Sequence, residues 1–215
     1  DGMLHARVLR AKFPHARIVR IDASEASRVP GVIAVITHED IPGVKTFGPV
    51  RQDMPVFAFD KTRYLGDGVA MAVATTVEAA EHACELVRVE YQELPAVFSP
   101  EEAMAEGAPI LHDNVPGNVV NHHVVRKGDV DAGFAASDVV VEREYRTQFI
   151  EHAYIEPEAA VAVPNPAEGS VTVYGSIQNP FTARRVVAQV LGVSLNRVRI
   201  VQCAMGGSFG GKDDV

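Results

Sequence analysis

The sequence predicts an α+β fold built from two domains, and three observations support this. The first is a set of short apolar runs with strand character before residue 95, interrupted by one clear helical pattern. The second is a group of longer strand-like runs after residue 126, followed by one helix and one further strand. The third is the composition, because 215 residues with 47% hydrophobic and 22% charged side chains suffice for one large or two small globular domains.

The first domain is predicted over residues 1–95 and carries most of the short strands. Apolar and β-branched runs predict strands over residues 3–10, 16–21, 32–37, 69–75 and 87–91. Residues 38–60 contain several Pro and Gly without a clean period, so we expect a long loop with a short strand near its end. Asp22 and Glu25 are spaced to cap a short helix that stops at Pro30.

A longer helix is predicted from Val77 to Leu86, with Thr76 as its N-cap. Its apolar side chains recur at the i, i+3 and i+4 spacing that places them on one helix face. Because strands are predicted on both sides of this helix, we expect a crossover unit on an open sheet. Residues 96–125 are predicted to be a connector with a short helix at 99–106 and a strand at 119–125.

The second domain is predicted over residues 126–215. Strands are expected over residues 139–150, 158–163, 169–174 and 198–202, and helical segments over 129–136 and 180–191. A hairpin is predicted at residues 165–169. Pro180 suits the first turn of the longer helix and Gly192 suits its end.

The last predicted strand leads into a cluster of four glycines around one aromatic residue. Glycine tolerates positive φ and lets backbone amides approach a ligand, and successive amides can form an anion-binding nest. The spacing from Gly206 to Lys212 resembles a phosphate-binding P-loop, but Asp213 stands where that loop needs a hydroxyl for magnesium. A plain glycine-rich turn is the other interpretation. We therefore predict a ligand-binding loop.

Three motifs occur in order along the chain: Glu-His-Ala-Tyr-Ile-Glu-Pro-Glu at residues 151–158, Tyr-Gly-Ser-Ile-Gln-Asn-Pro at residues 174–180, and Gly-Gly-Ser-Phe-Gly-Gly-Lys-Asp at residues 206–213. Together they resemble a known family, the molybdopterin-binding subunits of xanthine dehydrogenase and aldehyde oxidase (the molybdenum hydroxylases). Residues 206–213 are similar to its G-G-x-F-G-G-K-[ED] motif. Residues 174–180 resemble its S-x-Q-N segment, and residues 151–158 resemble its E-H-x-Y-x-E-P segment. N-terminal segments at 2–10, 15–18 and 30–35 resemble its α/β hammerhead domain.

The resemblance implies an α/β hammerhead domain over residues 1–95, followed by the first part of a mixed α/β molybdopterin-binding domain. It implies a hydroxylase that oxidises an N-heterocycle or aldehyde with water-derived oxygen and passes electrons to [2Fe–2S] and FAD partner chains. The implied cofactor is molybdenum–molybdopterin, with its cytosine dinucleotide form left open. The implied catalytic glutamate would lie beyond residue 215. We therefore expect the chain to be a fragment that is inactive without the rest of the molybdopterin-binding protein.

The same resemblance implies the site residues. Those expected to bind the cofactor are Gln178, Gly206, Gly207, Ser208, Phe209, Gly210 and Gly211. Gln178 would lie beside an oxo ligand of the metal, while the pterin dithiolene holds the metal itself, so no protein ligand is expected. The Phe209 amide would face the cofactor, although its ring could instead plug the loop. Asp213 is a weaker substrate-binding candidate, because aspartate is one methylene shorter than the glutamate often found there.

His152, Glu156 and Glu158 could also be considered as a metal cluster. If the segment is extended, these side chains share one face, but at ~3.3 Å per residue they are too far apart for one tetrahedral site. We therefore reject the metal site. In the resembled family this segment lies near the active site and supports it.

Charge and composition argue against several other classes of protein. The net charge of −8, without a basic patch, disfavours nucleic acid as a partner. No apolar run approaches the ~20 residues of a membrane helix. Cys84 and Cys203 lack metal or disulfide spacing, so we expect buried thiols in a reducing cytoplasm. The alternatives left are a P-loop-like nucleotide-binding protein and a non-catalytic assembly module.

Overall fold

The computed structural model describes residues 2–48 and 51–213, in which helices and strands are mixed as predicted. The strands are β1 His5–Arg10, β2 Ala16–Asp22, β3 Val32–Ile36, β4 Thr46–Phe47, β5 Met54–Pro55, β6 Lys61–Thr62, β7 Gly68–Ala74, β8 Arg88–Glu93, β9 Ala160–Asn165, β10 Ser170–Gly175 and β11 Val198–Gln202. The α-helices are α1 Val77–Leu86, α2 Pro100–Met104, α3 Val130–Ala135 and α4 Pro180–Leu191. None of the helices in the described part has the length and apolarity needed to cross a membrane.

Two antiparallel sheets build the N-terminal half. Their strand orders are β1-β7-β3 and β6-β2-β8, and α1 packs on the first sheet. The predicted crossover unit around α1 is wrong, because β7 and β8 lie in different sheets. Strand β7 pairs antiparallel with β1 on one edge and with β3 on the other, so neither edge is left for β8. The fully buried centre of the core beside α1 includes Ala72 and Ala83, and larger side chains such as Leu9 and Ile21 pack against it.

The two predicted helix caps of this half have different outcomes. Thr76 caps α1 as predicted, since its hydroxyl accepts a hydrogen bond from the Ala79 N–H at 3.1 Å. The capping box at Asp22 and Glu25 is wrong, and only a single 3₁₀ turn follows, over Ala26–Arg28. The Asp22 carboxylate accepts from the Ser24 N–H at 3.0 Å, a local turn that competes with helix formation.

A mixed sheet of order β11-β10-β9 builds the C-terminal half. Strands β9 and β10 form the predicted hairpin, and β10 runs parallel to β11 with α4 connecting them. Helix α4 has its predicted bounds and ends at Gly192, whose φ is +66°. The N–H groups of Gly43 and Val44 donate to the Val190 and Gln189 carbonyls at 2.9 and 3.0 Å, so the N-terminal half caps this helix.

Two predicted strands, at residues 119–125 and 139–150, are not strands in the structure. Residues 139–150 are exposed along their whole length, and within the described ranges no neighbouring strand pairs with them. Alternating apolar residues favour extended backbone, but a strand also needs a hydrogen-bonding partner. The predicted loop at 38–60 does carry β4 and β5, which pair with each other.

Candidate functional site

Three segments of the chain meet at one edge of the C-terminal sheet. Loops leave the carboxyl ends of the parallel strands β10 and β11, and the segment before antiparallel β9 reaches the same edge. The Cys203 N–H donates to the Gly175 carbonyl at 2.9 Å, and the Ser176 N–H donates to the Ala159 carbonyl at 3.2 Å. Residues 151–159, 176–179 and 203–213 are therefore neighbours, at the edge where open α/β sheets bind ligands.

Gln178 is joined to the glycine loop, residues 206–211, through both its backbone and its side chain. Its N–H donates to the Lys212 carbonyl at 3.0 Å, and its Oε1 accepts from the Gly210 N–H at 3.1 Å. Because only the amide oxygen can accept a hydrogen bond, this contact fixes the orientation of the side-chain amide. Its Nε2 donates to no protein acceptor in the described part of the chain, so two N–H groups remain available for a ligand.

The glycine loop presents a run of backbone donors. The consecutive N–H groups of Gly207, Ser208 and Phe209 have no protein acceptor among residues 2–48 and 51–213. The loop closes on itself, since the Gly211 N–H donates to the Ser208 carbonyl at 2.9 Å. Phe209 has φ +53°, a strained conformation for a bulky residue that the surrounding contacts must hold. Consecutive free amides in such a loop suit an anionic or oxygen-rich ligand.

Two of the glycines have a role that the sequence did not predict. A Cβ on Gly206 would lie 2.9 Å from Glu156 Cβ, and a Cβ on Gly211 would overlap Tyr154 Cε1. The residues before β9 therefore pack directly against the loop backbone. Gly207 and Gly210 have φ +103° and +95°, conformations that favour glycine. The expected close approach of a cofactor to these glycines stays a prediction.

A buried lysine links the three segments. The Lys212 side chain is 1% exposed, and its Nζ donates to Glu156 Oε2 and to Ser176 Oγ, each at 2.7 Å. Ser176 Oγ in turn donates to Glu156 Oε2 at 2.7 Å. The same carboxylate oxygen accepts from the Gly206 N–H at 2.9 Å. The Lys212 ammonium also lies 4.8 Å from the centre of the Tyr154 ring.

These contacts stabilise the ionised form of Glu156. The hydrogen bond from Lys212 is the largest influence, and with those from Ser176 and the Gly206 N–H it lowers the pKa of Glu156 from 4.5 to about 2. Glu156 is therefore an anion at neutral pH, and its charge balances that of Lys212. The hydrogen bond from Tyr154 Oη to Glu158 raises the pKa of the Tyr154 phenol.

The structure corrects or leaves open other predictions for this region. The Phe209 ring is 76% exposed, so the interpretation that it plugs the loop is wrong. Cys203 is exposed and Cys84 half-buried, so the predicted buried thiol is wrong for Cys203. Glu156 and Glu158 bind different partners, Lys212 and Tyr154. Asp213 is exposed at the end of the loop, and its role in substrate binding stays a prediction.

The Lys212–Glu156 pair is the feature that sequence reasoning missed. From the sequence, Lys212 is a candidate phosphate ligand, and Glu156 is a rejected metal ligand in a segment that supports the site. The available signal was a pair of opposite charges in two separate motifs, 56 positions apart. Because Lys212 is buried and already paired, it cannot reach a phosphate, and the structure does not support the P-loop alternative.

Comparisons with known proteins identify the family of the chain. A family model described as the aldehyde oxidase and xanthine dehydrogenase a/b hammerhead domain matches residues 1–95, and one described as the molybdopterin cofactor-binding domain matches residues 111–215. The chain is 43% identical to a probable xanthine dehydrogenase subunit of Bacillus subtilis, covering 100% of the chain and 28% of that protein.

Two further relatives extend the comparison. The chain is 41% identical to the nicotinate dehydrogenase large molybdopterin subunit of Eubacterium barkeri, covering 99% of the chain and 49% of that protein. The solved structure of the aldehyde oxidoreductase of Desulfovibrio gigas superposes with a TM-score of 0.87 at 32% identity, over 98% of the chain and 24% of that protein. The chain thus spans between about a quarter and a half of the length of each of these relatives.

Proposed function

The chain belongs to the xanthine dehydrogenase and aldehyde oxidase family of molybdopterin-binding proteins, and from that premise we propose that it forms one wall of the cofactor site in a molybdenum hydroxylase. We propose the division predicted from the sequence, with the hammerhead domain in residues 1–95, a connector in residues 96–125 and part of the cofactor domain in residues 126–215. The family model for the cofactor-binding domain begins within this connector, at residue 111. The proposed reaction oxidises a small-molecule substrate, an N-heterocycle or an aldehyde, with water-derived oxygen.

The pairing of Gln178 with the glycine loop is the observation that carries this proposal. The Gly210 N–H donates to the Gln178 amide oxygen, which leaves the two amide N–H groups available for a ligand. The N–H groups of Gly207, Ser208 and Phe209 add further donors within the same loop. This donor set fits a cofactor rich in acceptor oxygens, and molybdenum–molybdopterin supplies a two-electron redox centre when it is bound.

Lys212 is not the group that would attract the cofactor to this site. The positive charge of Lys212 is already neutralised by Glu156. The attraction for acceptor atoms therefore comes from the oriented backbone dipoles of the loop and the Gln178 amide. In this arrangement Gln178 and the amides of residues 207–209 bind and orient the cofactor. Asp213, exposed at the loop end, would accept a hydrogen bond from a substrate N–H.

The names of the relatives support the substrate class and the assembly that we propose. The two sequence relatives described above are named for xanthine and nicotinate, which are both N-heterocycles. Their names also describe them as subunits. We therefore propose an N-heterocyclic substrate and partner chains that carry [2Fe–2S] and FAD centres. The cytosine dinucleotide form of the cofactor and a cytoplasmic location, which suits the two free thiols, belong to the same proposal.

Metal and pterin analysis of the protein purified from its native host, with all the chains that co-purify, tests the proposal. We expect molybdenum and pterin in the wild-type complex. A Gln178→Ala variant should lower the turnover of N-heterocycles by about 10- to 100-fold, the usual cost of losing a residue that orients a metal centre. Gln92→Ala is the matched control, because Gln92 is an exposed glutamine on β8. A stable wild-type complex without molybdenum or pterin would overturn the proposal in favour of an assembly module.

A further inference from the structure

We propose that Lys212, Glu156 and Ser176 are positioning residues that hold the glycine loop and Gln178 in their ligand-binding shape before the cofactor arrives. This inference rests on the function proposed above and deepens it. The three side chains contact the glycine loop and its neighbours, and we infer that they fix the direction in which the loop N–H groups point.

Lys212 is the point at which the three segments are joined. Its carbonyl accepts from the Gln178 N–H at 3.0 Å, while its ammonium donates to Glu156 and Ser176 at 2.7 Å. One residue therefore attaches the end of the glycine loop to the segment before β9 and to the loop after β10. A shift of Lys212 would move the Gln178 backbone at the same time.

Glu156 extends this control to the start of the loop. Its Oε2 accepts from the Gly206 N–H at 2.9 Å, which fixes the peptide plane immediately before the three free amides. At the other end, the Gln178 oxygen holds the Gly210 N–H at 3.1 Å. The strained φ of Phe209, +53°, lies between these two anchors. A strained residue persists only where its surroundings over-determine it, and the anchors provide that restraint.

The ammonium of Lys212 is buried, although its partner Glu156 is 36% exposed, and we infer that the charge of Lys212 serves geometry more than stability. Its ammonium has three donors, of which two bind Glu156 and Ser176, and the group lies against the Tyr154 ring. Replacing a buried ion pair by apolar residues of similar size is often neutral or stabilising, whereas removing one partner is costly. Donors that are fixed in advance bind a ligand without further reorganisation. The network gives the loop this property.

The test compares variants of the complete native complex by molybdenum and pterin content and by unfolding temperature. Lys212→Met and Glu156→Gln each leave one member of the pair without its partner, so both readouts should fall. The double variant Lys212→Met/Glu156→Leu removes both charges. We expect its unfolding temperature to return to that of the wild type while its cofactor content stays about tenfold lower, on the scale of outer-shell effects at metal sites. Arg7→Met/Glu81→Leu is the matched control, because it removes an exposed ion pair of 3.0 Å.

A double variant with wild-type cofactor content would overturn the inference. Ser176→Ala provides a second test that changes no charge and removes only the hydroxyl between Lys212 and Glu156. It should lower cofactor content, and Ser176→Thr, which keeps a hydroxyl, should restore it; wild-type content in Ser176→Ala would refute the positioning role. Absence of molybdenum and pterin from the wild-type complex would instead refute the proposed function, so the two failures are distinguishable.

Discussion

Replacing Gly211 by alanine should displace the glycine loop from the segment that packs behind it. The added Cβ would overlap Tyr154 Cε1 and would lie 3.1 Å from His152 Cγ. A shift of the Tyr154 ring would disturb two contacts. Its hydroxyl donates to Glu158 at 2.8 Å, and the Lys212 ammonium lies 4.8 Å from its centre. Either the ring loses these contacts or the loop moves outward.

The expected cost is that of overpacking a fitted site, about 1–3 kcal/mol. If the displacement is taken up by the loop, the same free energy appears as a cofactor affinity that is weaker by about 5- to 150-fold. The assay is molybdenum and pterin content of the purified native complex at limiting cofactor, together with its unfolding temperature. Gly133→Ala is the matched control, because Gly133 lies in α3 and its added Cβ would meet nothing within 4 Å.

A second substitution tests the steric reason directly. In the double variant Gly211→Ala/Tyr154→Ala the ring that the new methyl group would strike is gone, so cofactor content should recover relative to Gly211→Ala alone. Unchanged content and stability in Gly211→Ala would contradict the packing argument. Loss of cofactor without recovery in the double variant would refute Tyr154 as the group that the methyl group strikes, since His152 stays 3.1 Å from the added Cβ.

The remaining predictions concern stability. Gly43→Ala should destabilise the chain by about 2–4 kcal/mol, because a Cβ there would overlap the Gln189 carbonyl and the backbone of α4 cannot move aside. Hydrogen exchange at the amides of residue 43 and Val44 should become faster, because both amides donate to α4. Protection of these amides equal to that in the wild type would contradict the prediction. The lowered pKa of Glu156 stabilises the fold fully above pH 4.5, and this contribution should be lost as the pH falls from 4.5 toward about 2. The difference in urea midpoint between the wild type and Glu156→Gln should therefore shrink as the pH falls over this range. A difference that stays constant would refute the lowered pKa of Glu156.

Local elements were predictable because their determinants are a few residues apart. Helix α4 begins at Pro180 and ends before Gly192 as predicted, since a proline at the first turn and a glycine in the left-handed conformation act within one turn. Thr76 caps α1 for the same reason. The failed cap at Asp22 shows the limit of such signals, because a competing local turn to Ser24 satisfies the same carboxylate.

Strand pairing was less predictable, because it depends on distant segments. The apolar pattern placed β7 and β8 on either side of α1, but β1 and β3 occupy both edges of β7. Residues 139–150 have the alternation of a strand, yet the described part of the chain gives them no partner. Periodicity reports which face of a segment is apolar and does not report which segment lies beside it.

The amino-acid order alone was enough to locate the glycine loop, to predict that it binds a ligand, and to assign its motifs to a family. Glycine spacing and strand ends are local properties, so the sequence predicts them without a structure. Three-dimensional contacts were needed to show that Gly206 and Gly211 make room for Glu156 and Tyr154, and that Lys212 is buried against Glu156. These contacts join residues some 50 positions or more apart. They form and stabilise the site only after the sheet has brought the segments together.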